Sequence, residues 1–281
     1  IGEKIDIPAP DVNTNGKIMS WMVDAYENVV KKSAPGVFTG KPVEFGGSLA
    51  RTEATGYGVN FAAVQALEKL GKDVKGATYA IQGFGNVGYH TGYYAHQSGA
   101  KVVAVSTVDV AIYNENGLDM EALFKEFQEK GFITNEAGYG KEISNAELLA
   151  LDVDVLAPCA LENQLTSENA GKVRAKIVVE GANGPTTPEA DAILRQNGVL
   201  VVPDILANCG GVVVSYFEWV QNLQGYYWEF DEVQEKETVV LRRAFRDIWN
   251  LAQEYDVDLR TASYMMSIRR VEKAMKLRGW Y

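Results

Sequence analysis

Apolar positions along the chain recur with two different periods. Ile18, Met22, Val23, Tyr26, Val29 and Val30 fall at helical spacing and predict a helix over residues 16–32, and residues 55–70 return to the same periodicity. Short β-branched runs, apolar on both faces, follow at 77–82, 101–105, 153–157, 176–180 and 199–203. Strands of that kind belong to a parallel sheet buried under helices, because only crossover connections cover both faces. Residues 114–151 read as helical with a glycine-rich interruption, and 188–197 as a short helix opened by Pro188 and closed by Asn197-Gly198. Beyond Asn208 the pattern is largely helical, and two long amphipathic stretches at 231–256 and 261–278 are expected to pack back on the N-terminal part. The predicted architecture is α/β, a Rossmann-type doubly wound, mostly parallel sheet.

Residues 33–47 carry Pro35, Gly36, Gly40, Pro42, Gly46 and Gly47, a turn-rich connector between an N-terminal remnant and the sheet domain. The expected division is 1–46 for the end of a substrate domain and its connector, 47–258 for a nucleotide domain, and 259–281 for a C-terminal helix returning to the first. Lys4-Ile5-Asp6-Ile7-Pro8-Ala9-Pro10-Asp11 reads as a strand already in progress, and residue 1 is Ile rather than Met, so the chain is expected to be a fragment.

Composition narrows the partners. With 27 basic and 37 acidic residues the net charge is −10, which disfavours nucleic acid and anionic membrane surfaces. Cys159 and Cys209 lie 50 residues apart in apolar surroundings with only two histidines in the chain, a pattern of buried free thiols rather than of a disulfide scaffold or a metal site. No apolar run reaches the ~18 residues of a bilayer span and no signal peptide opens the chain, so a soluble, cytoplasmic protein is expected.

The chemistry concentrates in Gly83-Phe84-Gly85-Asn86-Val87-Gly88, which follows an apolar strand and opens a helix. In such a G-x-G-x-x-G loop the first glycine makes the tight turn, the second lets backbone approach a pyrophosphate, and the third lets helix and strand pack closely. Asp109 lies 21 residues beyond Gly88, after the strand 101–105, near where a carboxylate holds the ribose hydroxyls of a dinucleotide. Such a carboxylate repels a 2′-phosphate, and no arginine sits nearby in sequence, so NAD is favoured over NADP.

Five segments in order and at matching spacing carry a family resemblance. They are Pro8-Ala9-Pro10-Asp11-Val12; Arg51-Thr52-Glu53-Ala54-Thr55-Gly56-Tyr57-Gly58; the glycine loop; Val179 through Thr187; and Pro203 through Val212 with Ser215-Tyr216-Phe217-Glu218-Trp219. Together they resemble the glutamate dehydrogenases, within the glutamate/leucine/phenylalanine/valine dehydrogenase family. The resemblance implies reversible oxidative deamination of L-glutamate to 2-oxoglutarate and ammonia with NAD, in a homohexamer. Branched-chain or aromatic amino-acid dehydrogenases and a non-catalytic NAD-binding module are the alternatives. The family's lysine-bearing glycine-rich segment upstream of Asp11 does not occur in this sequence, so the chain alone is expected to be inactive.

By residue type alone Asp11 reads first as a helix N-cap; the resemblance makes it the catalytic proton shuttle. It likewise places Thr55 and Asn183 toward the nicotinamide and Asn208 toward substrate or nicotinamide, where residue type alone allows a helix cap, an Asn-Gly turn and an N-cap respectively. Val212 and Ser215 would line the substrate pocket, the serine hydroxyl meeting the γ-carboxylate, with helix packing as the alternative. Arg51 reads either as positioning the same nicotinamide region or as an arginine paired with a surface carboxylate, and Tyr216, Phe217 and Trp219 as core rather than ligand contacts.

Overall fold

The computed structural model describes residues 1–11 and 13–280. In chain order the elements are α1 (Gly16–Val30), α2 (Ala54–Lys69), β1 (Thr78–Gln82), α3 (Asn86–Gln97), β2 (Lys101–Ser106), β3 (Ala111–Tyr113), α4 (Met120–Lys130), β4 (Lys141–Ile143), α5 (Asn145–Leu149), β5 (Val155–Pro158), β6 (Ile177–Val179), α6 (Pro188–Gln196), β7 (Leu200–Val202), α7 (Asp204–Ala207), α8 (Gly210–Gln224), α9 (Phe230–Tyr255) and α10 (Leu259–Leu277). They divide into two compact units, Ile1–Thr55 with Gly210–Val240, and Gly56–Cys209 with Leu241–Tyr281. No helix among the described residues is long and apolar enough to cross a membrane.

The second unit holds a seven-stranded sheet in the order β4-β3-β2-β1-β5-β6-β7. β2, β1, β5, β6 and β7 run parallel, and β3 is antiparallel to both its neighbours. Side chains alternate across the sheet: Tyr79, Ile81, Val105, Ala157 and Val179 enter one buried cluster, while Ala80, Ala104, Leu156 and Val178 enter the cluster on the opposite face. Both faces are covered, as the doubly apolar strand pattern requires. The strand order reverses at β1, and in open α/β sheets such a switch point opens a crevice at the carboxyl ends of the strands.

Two expectations from sequence are corrected. Residues 114–151 are not one interrupted helical region but α4, β4 and α5; β4 is a short strand of largely exposed residues, Lys141-Glu142-Ile143, held by its ladder to β3, so no apolar period announces it. Residues 4–11 form no strand either, since no ladder partner pairs with them among the described residues.

In the first unit α1 packs Met19 and Val23 against Ala34, Val37 and Phe38 of the connector. α8 and α9 bury Val214, Phe217 and Val233 with Ala50 and Ala54. The connector is pinned by an ion pair that sequence patterning did not reveal: Lys41 Nζ donates to Glu218 Oε1 at 2.6 Å, both side chains wholly buried. Glu218 also accepts from the backbone N–H groups of Gly40 and Lys41, and Lys41 donates to the Phe38 carbonyl, so the pair is hydrogen-bonded as well as charged.

Candidate functional site

The glycine loop meets the geometric demands of a pyrophosphate cradle, each glycine for its own reason. Gly83 has φ +86°, with Ala160 so close that an added Cβ would sit 2.8 Å from its backbone. A Cβ on Gly85, the N-cap of α3, would meet nothing within 4 Å, leaving open space before the helix N-terminus. At Gly88 a Cβ would strike the Gly83 carbonyl at 1.8 Å, so only glycine allows α3 this close to the turn. Phe84 is buried among Tyr89, Phe124 and Phe127, leaving its backbone rather than its ring to face a ligand. Asn86 and Val87 form the first turn of α3, with Val87 half-buried.

Neighbouring loops close on this turn from both sides. Ser106, at the end of β2, accepts from the Gly83 N–H at 3.2 Å, which sets the end of β2 beside the glycine loop. Asp109 follows, exposed, in the turn between β2 and β3, its backbone N–H donating to Thr107 Oγ1. On the other side a Cβ on Gly181 would stand 2.5 Å from Cys159 Sγ and 3.2 Å from Val87, so the loop after β6 packs directly on α3. That loop carries Asn183, and Asn208 Nδ2 donates to its Oδ1 at 2.6 Å and to the Gly181 carbonyl at 3.3 Å. Asn208 therefore does not cap α8: it ends α7, and its side chain ties two loops together.

Behind these asparagines lies an ion cluster that sequence reasoning missed. Arg260 of α10 reaches Glu180, Asp191 and Asp204, with 2.6 Å to the wholly buried Glu180. Glu180 in turn accepts from the Asp204 N–H, and Asp204 from the Gly184 N–H, fixing both ends of the Asn183 loop. Burial pushes the Glu180 carboxyl up and Arg260 opposes it. Arg260 also borders a cleft of about 740 Å³ along β7; none of residues 83–88 lines that cleft, and its charges are already mutually paired. Neither cysteine forms a disulfide and both are half-buried rather than fully buried; burial pushes the Cys159 thiol up to about 12, far from a reactive thiolate.

The first unit supplies a second constellation. Arg51 is half-buried rather than paired at the surface, and its Nε donates to Ser215 Oγ at 2.9 Å. Ser215 is 8% exposed while Val212, three residues earlier on α8, is 68% exposed, so the two expected pocket residues meet different surroundings. Tyr216 is likewise exposed, whereas Phe217 is core as expected. A Cβ on Gly211 would stand 2.4 Å from Thr55 Oγ1 and 3.5 Å from Arg51 Nη1, so the first turn of α8 can carry Thr55 and the guanidinium only because it opens with glycines. Burial lowers the Arg51 pKa, opposed by Glu218 and Glu237, yet a guanidinium stays charged across the working range.

Asp11 is exposed, and it is not the cap of α1. Asn15 fills that place, accepting from the Ile18 N–H, while Asp11 folds into a turn in which its N–H donates to Thr14 Oγ1 and its carbonyl accepts from Thr14. Its neighbour Val12, part of the same sequence motif, lies outside the described residues.

Comparison with known proteins decides the family. The profile of the glutamate/leucine/phenylalanine/valine dehydrogenases matches residues 46–279, and that of the family's dimerisation domain matches residues 1–28. The chain belongs to this family. Over its whole length it is 55% identical to an NAD-specific glutamate dehydrogenase of Clostridioides difficile and 52% to a glutamate dehydrogenase of Thermotoga maritima, spanning 68% of each. Among solved family structures, glutamate dehydrogenase from Peptoniphilus asaccharolyticus superposes with TM-score 0.87 at 45% identity, covering all of this chain and 67% of that one. The hetero-hexameric glutamate dehydrogenase of Thermus thermophilus, in its leucine-bound form, gives 0.92 at 34% identity, with the chain covering 66% of it.

Proposed function

We propose that this chain serves NAD-dependent, reversible oxidative deamination of L-glutamate to 2-oxoglutarate and ammonia. The observation that carries the substrate assignment is the half-buried Arg51 held on Ser215. A cation withdrawn from water beside a hydroxyl suits a carboxylate, and Ser215, accepting from Arg51, keeps its own O–H to donate to the same anion. A leucine or phenylalanine side chain would leave the Ser215 O–H and the guanidinium charge without that carboxylate, at a cost of roughly 1–3 kcal/mol. The names of the C. difficile and T. maritima relatives support the same substrate.

The second unit would hold NAD. Gly83, Gly85 and Gly88, with the backbone N–H groups opening α3, fit the pyrophosphate, and Asp109 would take the adenosine ribose hydroxyls. Asn183 and Asn208 would orient the nicotinamide amide, the two being pre-positioned by the Glu180–Arg260 cluster. Bound there, NAD supplies the hydride acceptor for the substrate α-carbon. Asp11 would take the proton from the α-amine as the C–H bond breaks, and water then adds to the resulting imine to release ammonia. A homohexamer is the proposed assembly, checked by the mass of the native particle in solution.

The substrate assignment is tested by the ratio of kcat/KM for glutamate over norvaline in the full-length protein. Arg51→Gln should lower that ratio by about 10-fold to 100-fold, the scale of a charged hydrogen bond. An unchanged ratio would remove Arg51 from substrate recognition.

A further inference from the structure

Glu237 of α9 has no part in the chemistry outlined above, yet it is one of the most deeply buried carboxyls in the first unit, 1% exposed. Its Oε1 is buried without a hydrogen-bond partner among the described residues. That oxygen lies against the start of α8: a Cβ on Gly210 would stand 2.4 Å from Glu237 Oε1 and 2.2 Å from the Ala54 carbonyl. Arg51 Nη1 lies against the next residue, Gly211. The first turn of α8 thus carries a carboxyl and a guanidinium on successive glycines, and the guanidinium is the one bonded to Ser215.

The charges facing Glu237 come from Arg51 and Glu53, in the segment entering α2. On its own helix the positions one turn away, Val233, Gln234, Val240 and Leu241, are uncharged. Glu218 acts on Arg51 as well, but it is committed to Lys41. Burial pushes the Glu237 carboxyl up to about 8, Arg51 pulls it down, and Glu53 pushes it up again. At neutral pH the group is therefore mainly an uncharged acid, and the positive charge of Arg51 is left uncompensated by it.

Building on Arg51 as the anchor of the distal carboxylate, we infer that Glu237 is a positioning residue which couples dicarboxylate binding to the uptake of one proton. Protonated, it leaves the guanidinium charge to the ligand. Ionised, it competes for that charge and repels the incoming anion across a poorly screened interior. A bound carboxylate therefore holds the proton on Glu237 to higher pH than in the free protein. Below about 8 the group is neutral with or without ligand, so affinity is level there. Above it the free protein has lost a proton that the complex keeps, and affinity falls by up to about tenfold per pH unit.

The test is calorimetric titration of the full chain with glutarate, and with pentanoate as the ligand lacking a distal carboxylate, in two buffers of different ionisation enthalpy from about pH 6.5 to 9.5. Near pH 9 glutarate should take up close to one proton, and it should bind roughly tenfold more weakly than near pH 7. Pentanoate should take up none. In Glu237→Gln glutarate should bind without proton uptake and with level affinity; Glu237→Leu serves the same purpose should the amide misfold, and proton uptake by the unaltered protein is decisive by itself. Glutarate binding without uptake, or uptake that persists in Glu237→Gln, overturns the role of Glu237 and leaves Arg51 as the anchor. Glutarate binding no tighter than pentanoate at any pH overturns the distal-carboxylate reading, and the inference with it.

Discussion

Arg51 Nε donates to Ser215 Oγ across 2.9 Å, joining the segment before α2 to the second turn of α8. The contact makes Ser215 an acceptor toward Arg51 and leaves its O–H to donate elsewhere, and in the proposed reading it would make a residue pair 164 positions apart one anion-recognising group.

Ser215→Ala removes the donor and loosens the guanidinium together. Catalytic efficiency with glutamate should fall by about 10-fold to 100-fold while that with norvaline changes little, because a site built for a polar group discriminates by leaving it unpaired. Steady-state kinetics with both substrates in the full-length protein give the comparison; parallel losses would make Ser215 a helix-packing residue.

Asp109 sits exposed at the turn after β2, next to the strand end bonded to the glycine loop. Asp109→Ser should narrow the preference for NAD over NADP by about 1–3 kcal/mol, the scale of a charged hydrogen bond. Calorimetric titration with each dinucleotide measures it, and NADP bound as tightly as NAD by the unaltered chain would contradict the charge argument.

The Lys41–Glu218 pair is buried on both sides, so breaking it leaves an uncompensated charge. Lys41→Met or Glu218→Gln alone should destabilise the first unit by about 3–5 kcal/mol, and replacing both residues by apolar ones should recover much of that loss. Urea unfolding followed by tryptophan fluorescence provides the readout. Additive losses in the double variant would deny the pair its coupling.

The glycine loop was legible because local order encodes it: three glycines at fixed spacing between an apolar strand and a helix leave few other folds, and the structure gives Gly83 and Gly88 each a steric reason while Gly85 leaves open space before the helix. Helices α1, α2, α9 and α10 were legible from apolar period, and α6 from Pro188 at its start and Asn197-Gly198 at its end. What stayed hidden depends on partners remote in sequence. Lys41 looks like a loop lysine until Glu218, 177 residues away, is brought beside it, and Arg51 looks like a surface arginine until α8 covers it. Glu180 and Arg260 lie 80 residues apart and carry no motif between them. β3 and β4 were missed although β6 and β7 are as short: they form the antiparallel edge of the sheet, where the ladder to the neighbouring strand, rather than an apolar run between crossover helices, specifies the strand. By residue type Asn208 reads equally as the start of one helix or the end of another; its place as the C-cap of α7 identifies the end, and its side chain bonds Asn183.

Asp11 is held by its backbone turn with Thr14, while Asn15 does the capping of α1. Asp11→Asn should therefore reduce turnover by about 10²- to 10⁴-fold with NAD affinity nearly intact. Rapid-mixing measurement of the hydride-transfer step alongside NAD titration separates the two effects, and a near-normal rate would strip Asp11 of the proton shuttle.

The most direct test of the proposed activity is the rise in NADH absorbance when the full-length protein is given NAD and a panel of L-amino acids at equal concentration. Glutamate should be oxidised with kcat/KM at least about 10-fold above leucine, phenylalanine and norvaline, since only glutamate satisfies both Arg51 and Ser215. Faster oxidation of leucine or phenylalanine, or no NAD reduction with any member of the panel, would contradict it.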